Sequence, residues 1–489
     1  MRLTSTAPSG LARKTLGAGA LWFFAVSASA PMTVLAGGVV ATYAATGVVG
    51  VPLSFLVLGV ALGLFSFGYV AMSRYVSNAG AFYAYLAHGL GQFWGVVAVP
   101  VALVGYNAIQ ISLYGLIGAT MSGLLGGVWW VWALLSWAAV ALLGVLNIRI
   151  NASVLAIVLI TEIVVIVMID VVSFLSPAEG VDITPLEPAS LLVPGIGGVF
   201  ALGIAAFIGY ESAPVYREEA RSHSAVTRGT FGALVFLALF YALSAWALAV
   251  AVGPKAVVDT ARDPESGIPF SILGEYTGPS IVGVATTLLI TSVFAALLSF
   301  HSAVARYVFA LSRERVLPAR LAYVGRGSGA GAPIGGSALQ SAIALAVILA
   351  FVLADADPVL TLFTWLSSLA ALAIMLLMVG TSIGVIRFFR HGGGTNESAW
   401  QRLGAPALGA VAMGAILITT VVNIGSLLGT APGSPVALIL PGLLAAAVVA
   451  GVLWAVTLRA ARPDVFQSVG RGQPKPLEVI DQRLSDLSL

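Results

Sequence analysis

Glu211 is the ionisable residue whose neighbours most restrict what it can do. It lies in Phe207-Ile208-Gly209-Tyr210-Glu211-Ser212-Ala213-Pro214, inside an apolar segment that opens near Ile196. A carboxyl in the middle of such a span costs roughly 3 kcal/mol on insertion scales, so it is kept there to face a cavity, a ligand or a proton path. Gly209 weakens a helix, and Pro214 removes a donor and clashes with the carbonyl four residues back. The segment therefore reads as a helix broken near its middle. Freed backbone is tolerated at that depth only when it is buried in protein or lines a cavity. Its carbonyls, around Phe207, Ile208, Gly209 and Tyr210, can accept an ammonium group, and Phe207 or Tyr210 can shut the site. Three roles stand open for Glu211: counter-ion to an amine, proton carrier, or hydrogen-bonding brace of the break.

A second irregular stretch, Ser27-Ala28-Ser29-Ala30-Pro31, precedes Gly37-Gly38. A half-helix starting at Pro31 would leave unpaired N–H groups and a positive dipole end at mid-span, which suits a carboxylate. The small side chains of Ala28, Ser29 and Ala30 would let a ligand approach the backbone. The plainer alternative is a proline kink with no ligand. Asn107, between Tyr106 and Gln110, gives a third span a polar face, and Phe300 stands beside His301 in another. Glu162, next to Thr161 in the middle of its span, can carry a proton, hydrogen-bond to the end of the broken first helix, or serve as a structural carboxyl. His301 is the one histidine inside a span. It can relay protons near neutral pH or be a packed, hydrogen-bonded side chain. Trp365 reads as a lid or as an interfacial anchor. Arg217 and Glu218, with Glu219 and Arg221, read as a cytoplasmic charge cluster that closes an inner gate or as an ordinary positive-inside loop. The remaining histidines, His88, His223 and His391, are scattered and lack helical metal spacing, so no metal site is expected.

These residues need spans to hold them. The chain has 489 residues, 59% hydrophobic and 9% charged, with no cysteine. Its mean hydropathy is +1.02. Soluble domains are about 25% charged, so this is an all-α polytopic membrane protein. A net charge of +3 gives no case for nucleic acid. Without Cys there is no disulfide, thiolate metal site or sulfur redox chemistry. Ala28-Ser29-Ala30 resembles a signal-peptide cleavage site, but the apolar run continues past it, so the segment is expected to stay as the first span.

Runs of roughly 20 apolar residues give twelve spans, near 17–45, 50–73, 92–121, 127–148, 151–175, 196–220, 226–252, 279–312, 336–354, 358–388, 405–428 and 433–458. With the N-terminus in the cytoplasm, all of the 23 basic residues except Lys255 and Arg262 fall on the cytoplasmic side or at helix ends facing it. The segments after spans 5, 7 and 9 are acidic, and this bias supports the count. Five spans separate the two breaks. A second five-span unit would then start from the opposite side, as in the inverted repeats of secondary transporters. The expected organisation is a cytoplasmic N-terminal segment 1–16, repeat 1 at 17–175, repeat 2 at 196–389, helices 11 and 12 at 405–458, and a cytoplasmic tail 459–489. The tail is expected to carry a helical turn near Leu477–Leu487.

Four local patterns agree with one family. Phe207-Ile208-Gly209-Tyr210-Glu211-Ser212-Ala213, followed by Arg217-Glu218-Glu219-Ala220-Arg221, resembles the sixth-helix signature of the amino acid–polyamine–organocation (APC) superfamily. Ala79-Gly80-Ala81-Phe82-Tyr83-Ala84-Tyr85 is similar to its Gly- and Tyr-rich segment before helix 3. Ala305-Arg306-Tyr307 with Arg313-Glu314-Arg315-Val316-Leu317-Pro318 resembles its helix 8 end, and Trp365-Leu366-Ser367-Ser368 its helix 10. The resemblance implies a LeuT-type fold, five plus five helices in inverted repeat with two peripheral helices. It favours the proton or brace roles for Glu211. The chain departs from the family in helix 1, where many members carry a Gly-Ser-Gly-Ile-Phe-like break. In some proton-coupled relatives a Lys near the position of Glu162 replaces a sodium ion, and spans 1 to 6 here contain no Lys.

The function expected is proton-coupled symport or exchange of amino acids or related amines across the cytoplasmic membrane by alternating access. No reaction is catalysed and no cofactor is expected. No phosphate-cradling loop is present, which excludes a nucleotide-driven pump. One alternative is a sodium-coupled symporter, with Ser292, Ser299 and Ser302 and helix 1 carbonyls around the ion. Another is an amino acid sensor that does not transport.

Overall fold

In lipid every backbone polar group must be satisfied within the protein, and a helix does this within one segment. The computed structural model describes residues 16–76, 80–146, 152–217, 220–325, 332–394, 396–429 and 434–471. Its principal helices are α1 (Ala18–Thr46), α2 (Val51–Met72), α3 (Gln92–Leu125), α4 (Trp129–Leu146), α5 (Ala152–Leu175), α6 (beginning Ile196–Phe207), α7 (His223–Val252), α8 (Pro279–Arg313), α9 (Ile334–Leu353), α10 (Pro358–Arg390), α11 (Ala405–Leu427) and α12 (Ile439–Ala461). Among the described residues eleven are long and apolar enough to cross a membrane, and α4 is a shorter apolar helix. Eleven of the expected spans fall on these eleven helices, and the one expected at 127–148 falls on the shorter α4. The turn expected at Leu477–Leu487 and the gate residue Glu218 lie outside the described residues.

Both expected breaks are present. In α1 the helix stops at Ala28 and restarts with Pro31 as its first residue. Ala30 between them has φ 45°, the left-handed region that costs a non-glycine residue about 1–3 kcal/mol. In α6 the helix stops at Phe207, Gly209 takes φ 117°, and Tyr210–Tyr216 continues as a 3₁₀-helix. A regular helix there would drive the Pro214 ring into the Tyr210 carbonyl. The sequence pattern does not distinguish the tighter winding or the wide π turns at Val34–Val39, Pro358–Phe363 and Trp400–Gly404.

The segment between α2 and α3 lies outside the twelve expected spans. It is a helix, Ala81–Leu90, closed by Gly91 at φ 105°. Ten residues are too few to register as a span, and the flanking Gly80 and Gly91 read as loop. It packs on α3 and α10. On the opposite face, Phe270–Tyr276 packs on α8 and α5. Exchanging each helix for the one five places along turns one arrangement into the other, and this shows the inverted repeat directly. In the most apolar 18-residue stretches, 83% of α6 and 78% of α3 is buried, against 22% of α12. The broken α6 thus sits inside with α3, and α12 is peripheral.

Candidate functional site

The two breaks touch. A Cβ on Gly209 would lie 2.9 Å from the Ala28 Cβ and 3.0 Å from its carbonyl carbon. Beside them is a cavity of about 50 Å³, room for a few waters. From α1 it is lined by Ala28, Ser29, Ala30, Thr33, Val34 and Gly38, and from α6 by Leu202, Ala205, Ala206 and Ile208. Ile109 and Leu113 of α3, Ala296 and Phe300 of α8, and Phe363 and Ser367 of α10 close it. No charged side chain reaches the lining.

Glu162 lies behind the α1 break. It accepts hydrogen bonds from the Ser292 hydroxyl at 3.0 Å and from the Met32 N–H. Thr33 donates to Ser292 at 3.2 Å, which completes a chain from α5 through α8 to α1. A carboxyl placed at the first free N–H groups of a half-helix caps them and meets the positive dipole end. From α7, Tyr241 donates to the Ser29 carbonyl at 3.1 Å. The break is therefore held on both sides of Ala30.

Glu211 braces the other break. Its Oε2 accepts the Gly209 N–H at 2.8 Å and its Oε1 accepts the Tyr106 hydroxyl at 3.1 Å. Tyr69 donates to the Glu211 carbonyl at 3.3 Å.

The other expected site residues divide. Ser29, Ala28, Ala30, Ile208 and Phe300 face the cavity, and Pro31 starts the half-helix beside it. Phe207 turns away onto Phe55 and Tyr241, with ring centres 6.0 and 5.9 Å apart. Tyr210 turns toward α2, with its hydroxyl 3.2 Å from Ser66. Asn107 donates to the Leu103 carbonyl of its own helix at 2.7 Å and is not part of the lining. His301 pairs with Ser337 of α9 at 2.7 Å and packs against Gly144 of α4, outside the cavity. At α10 the cavity meets Phe363 and Ser367, and Trp365 is not among its walls. Of the serines considered for sodium, Ser299 and Ser302 are exposed on α8, and Ser292 is engaged by Glu162.

Sequence reasoning missed several residues. Asp170, two turns beyond Glu162 on the buried side of α5, accepts Ser244 of α7 at 2.9 Å. Tyr241 and Thr33, and Tyr106 of the polar face read on the third span, act through partners far away in the chain, which no local pattern reveals. Among the described residues the basic face is tied by several contacts, one of them from Arg221 of the expected cluster. Arg74 pairs with Glu397 at 3.2 Å, and Tyr75 donates to the same carboxylate. Burial, and then this hydrogen bond, pushes the Tyr75 phenol up from its ordinary value. Glu314 accepts the Tyr83 hydroxyl and the Gly470 N–H, each at 3.0 Å. The Arg221 N–H donates to the Leu16 carbonyl at 2.9 Å. Arg217 is half-buried, and its Nε has no hydrogen-bond partner among the described residues.

A family model described as amino acid permease matches residues 19–445. The chain belongs to this family. The permease is a multi-pass membrane transporter of the APC type, not an enzyme. No protein of curated function matches it. Among solved structures it is similar to a manganese transporter of Eremococcus coleocola in complex with an aromatic bis-isothiourea compound. The TM-score is 0.57 at 13% identity, over 91% of this chain and 97% of that one. A glutamate variant of the same transporter matches over the same shares at 13% identity, with a TM-score of 0.50. At such identity the likeness carries the fold alone, and that fold is LeuT-type.

Proposed function

We propose that this permease moves amino acids or related amines across the cytoplasmic membrane by alternating access, driven by protons as a symporter or exchanger. The observation that carries the reading is the contact of two helix breaks, at Ala28 and Gly209, beside a cavity with no charged lining. Broken helices can offer N–H groups to a carboxylate and carbonyls to an ammonium. Here Glu162 and Glu211 already hold the Met32 and Gly209 N–H groups, so a substrate carboxylate would use the other polar groups of the α1 break or displace these. Walls of Ala, Val, Ile, Leu and Phe suit a small or apolar neutral side chain. The basic face is read as cytoplasmic, with both termini on that side.

Glu162 supports protons over sodium. It occupies the place where α1 and the Ser292 hydroxyl would otherwise meet a cation, and a carboxyl there can gain and lose one charge per cycle. The neighbour's name would offer manganese as cargo. Against that, the cavity lining contains no carboxylate, His, Met or Cys. Among the described residues no three His, Cys, Asp or Glu come together.

The test is uptake of labelled amino acids into proteoliposomes under an inward proton gradient, with sodium replaced by choline. Uptake is expected to persist without sodium and to collapse with the gradient. Uptake that needs sodium and ignores the gradient would overturn the proton reading.

A further inference from the structure

The basic face carries a second cavity, of about 480 Å³, far from the helix breaks. It lies where the helix Ala81–Leu90, the end of α10 and the segment after α12 come together. We propose that this cavity binds a phosphate-bearing anion.

Three chain segments each bring cationic or imidazole groups to it: His88 from the first, Arg387 and His391 from α10, and Arg471 from the last. No Asp or Glu lines it, and none of the ion pairs among the described residues uses Arg387 or Arg471. Among the described residues, two guanidinium groups thus share a concave site that no carboxylate lines, Glu314 lying beside it on the Gly470 N–H. Arginine forks match phosphate oxygens two at a time, more closely than an ammonium does. The His88 Nδ1 lies 2.9 Å from the Ala84 carbonyl and the His391 Nδ1 2.9 Å from the Arg387 carbonyl. In the neutral ring each Nε2 is then an acceptor, suited to a phosphate P–O–H, and the two arginines supply the donors. Helix α3 starts at the cavity with Gln92, and no side chain caps its first N–H groups. The positive end of this 34-residue helix meets the C-terminal ends of Ala81–Leu90 and α10 there, so the attraction for an anion rests on the arginines rather than on the helix dipoles.

The surroundings place the site at a membrane interface. Leu90, Phe388 and Val469 share the lining with the charged groups. Trp94, in the first turn of α3, is 48% exposed, as an interfacial aromatic is. A phosphate held here belongs either to the headgroup of an anionic lipid or to a soluble phosphate compound. The proposal does not depend on which solute the permease carries.

The experiment is thermal unfolding of the intact, delipidated protein in neutral detergent at constant ionic strength. Phosphatidylglycerol, phosphatidylcholine, and inorganic phosphate against chloride are each added to wild type and to the double variant R387Q/R471Q. Phosphatidylglycerol is expected to raise the unfolding temperature by about 2 °C or more, phosphatidylcholine to leave it unchanged, and the double variant to lose most of the gain. The R320Q/R459Q variant removes the same charge from the same face outside the cavity and should keep it. A gain from inorganic phosphate that the double variant abolishes supports the site with a soluble source. No gain from either phosphate source, or a gain undiminished in R387Q/R471Q, overturns the proposal. If the double variant does not fold, R471Q alone, beyond the last spanning helix, gives the same reading: a reduced gain supports the site and an unchanged gain overturns it.

Discussion

At the scale of the residue, two buried carboxyls have different jobs. Glu211 spends both oxygens around one break, on Gly209 and Tyr106. Glu162 links three helices through Met32 and Ser292. Both carboxyls thus tie separate elements. Glu211 also fixes its own break through the Gly209 N–H, whereas Glu162 stands where α1 and Ser292 would otherwise meet a cation, and on that ground it is the proposed carrier. Gln keeps a carboxyl's shape and can hydrogen-bond, but it does not titrate. Glu162→Gln is therefore expected to lose proton-driven uptake while keeping exchange of labelled for unlabelled substrate. Glu211→Gln should keep both activities, and Glu211→Ala should lower both by roughly ten-fold, the cost of one lost buried hydrogen-bonding group. Proton-driven uptake surviving in Glu162→Gln would move the coupling role elsewhere. Glu211 was legible because Gly209 and Pro214 flank it. Glu162 was legible as a buried carboxyl with several roles open, since its partners lie 130 residues away in α8 and on the far side of Pro31. Asp170 went unread because a single acid near a span end carries no local signal.

At the scale of the element, the breaks were readable and their winding was not. Proline and glycine announce where a helix must stop. Nothing in the composition of Tyr210–Tyr216 announces a 3₁₀-helix, which follows from fitting Pro214 between a stopped helix and the packed basic face. The turning away of Phe207 and Tyr210 is likewise set by neighbours, Phe55, Tyr241 and Ser66, that only the fold supplies. The contact between breaks gives a direct test. Gly209→Ala adds a methyl group 2.9 Å from the Ala28 Cβ and forces φ 117° on a residue that disfavours it. Left-handed backbone costs an L-residue about 1–2 kcal/mol, so transport should fall ten-fold or more while the protein still reaches the membrane. Wild-type rates in proteoliposomes would show that the two breaks need not approach so closely.

At the scale of the whole molecule, charge placement was the strongest signal. A shift of one span between the first and last basic segments would have scattered the arginines over both faces. The helix Ala81–Leu90 and its counterpart Phe270–Tyr276 were missed, yet they give the symmetry its clearest physical form. Topology can be checked cleanly, because the chain has no cysteine of its own. Ser224 and Glu265 are both exposed, on opposite faces. In intact cells Glu265→Cys should react with a membrane-impermeant maleimide, and Ser224→Cys should react only after permeabilisation. The reverse pattern would invert the orientation.

The backbone at both breaks is pinned by the protein's own side chains: Glu162 and Tyr241 hold α1, and Glu211 and Tyr69 hold α6. Such a site is preorganised. Solute would enter a rigid receptor, and ordering of the chain would take little from the binding free energy. Titration calorimetry over a range of temperatures should then give a heat-capacity change no larger than the apolar surface of the solute accounts for. A change several times larger would mean that the helix breaks assemble around the solute instead of receiving it.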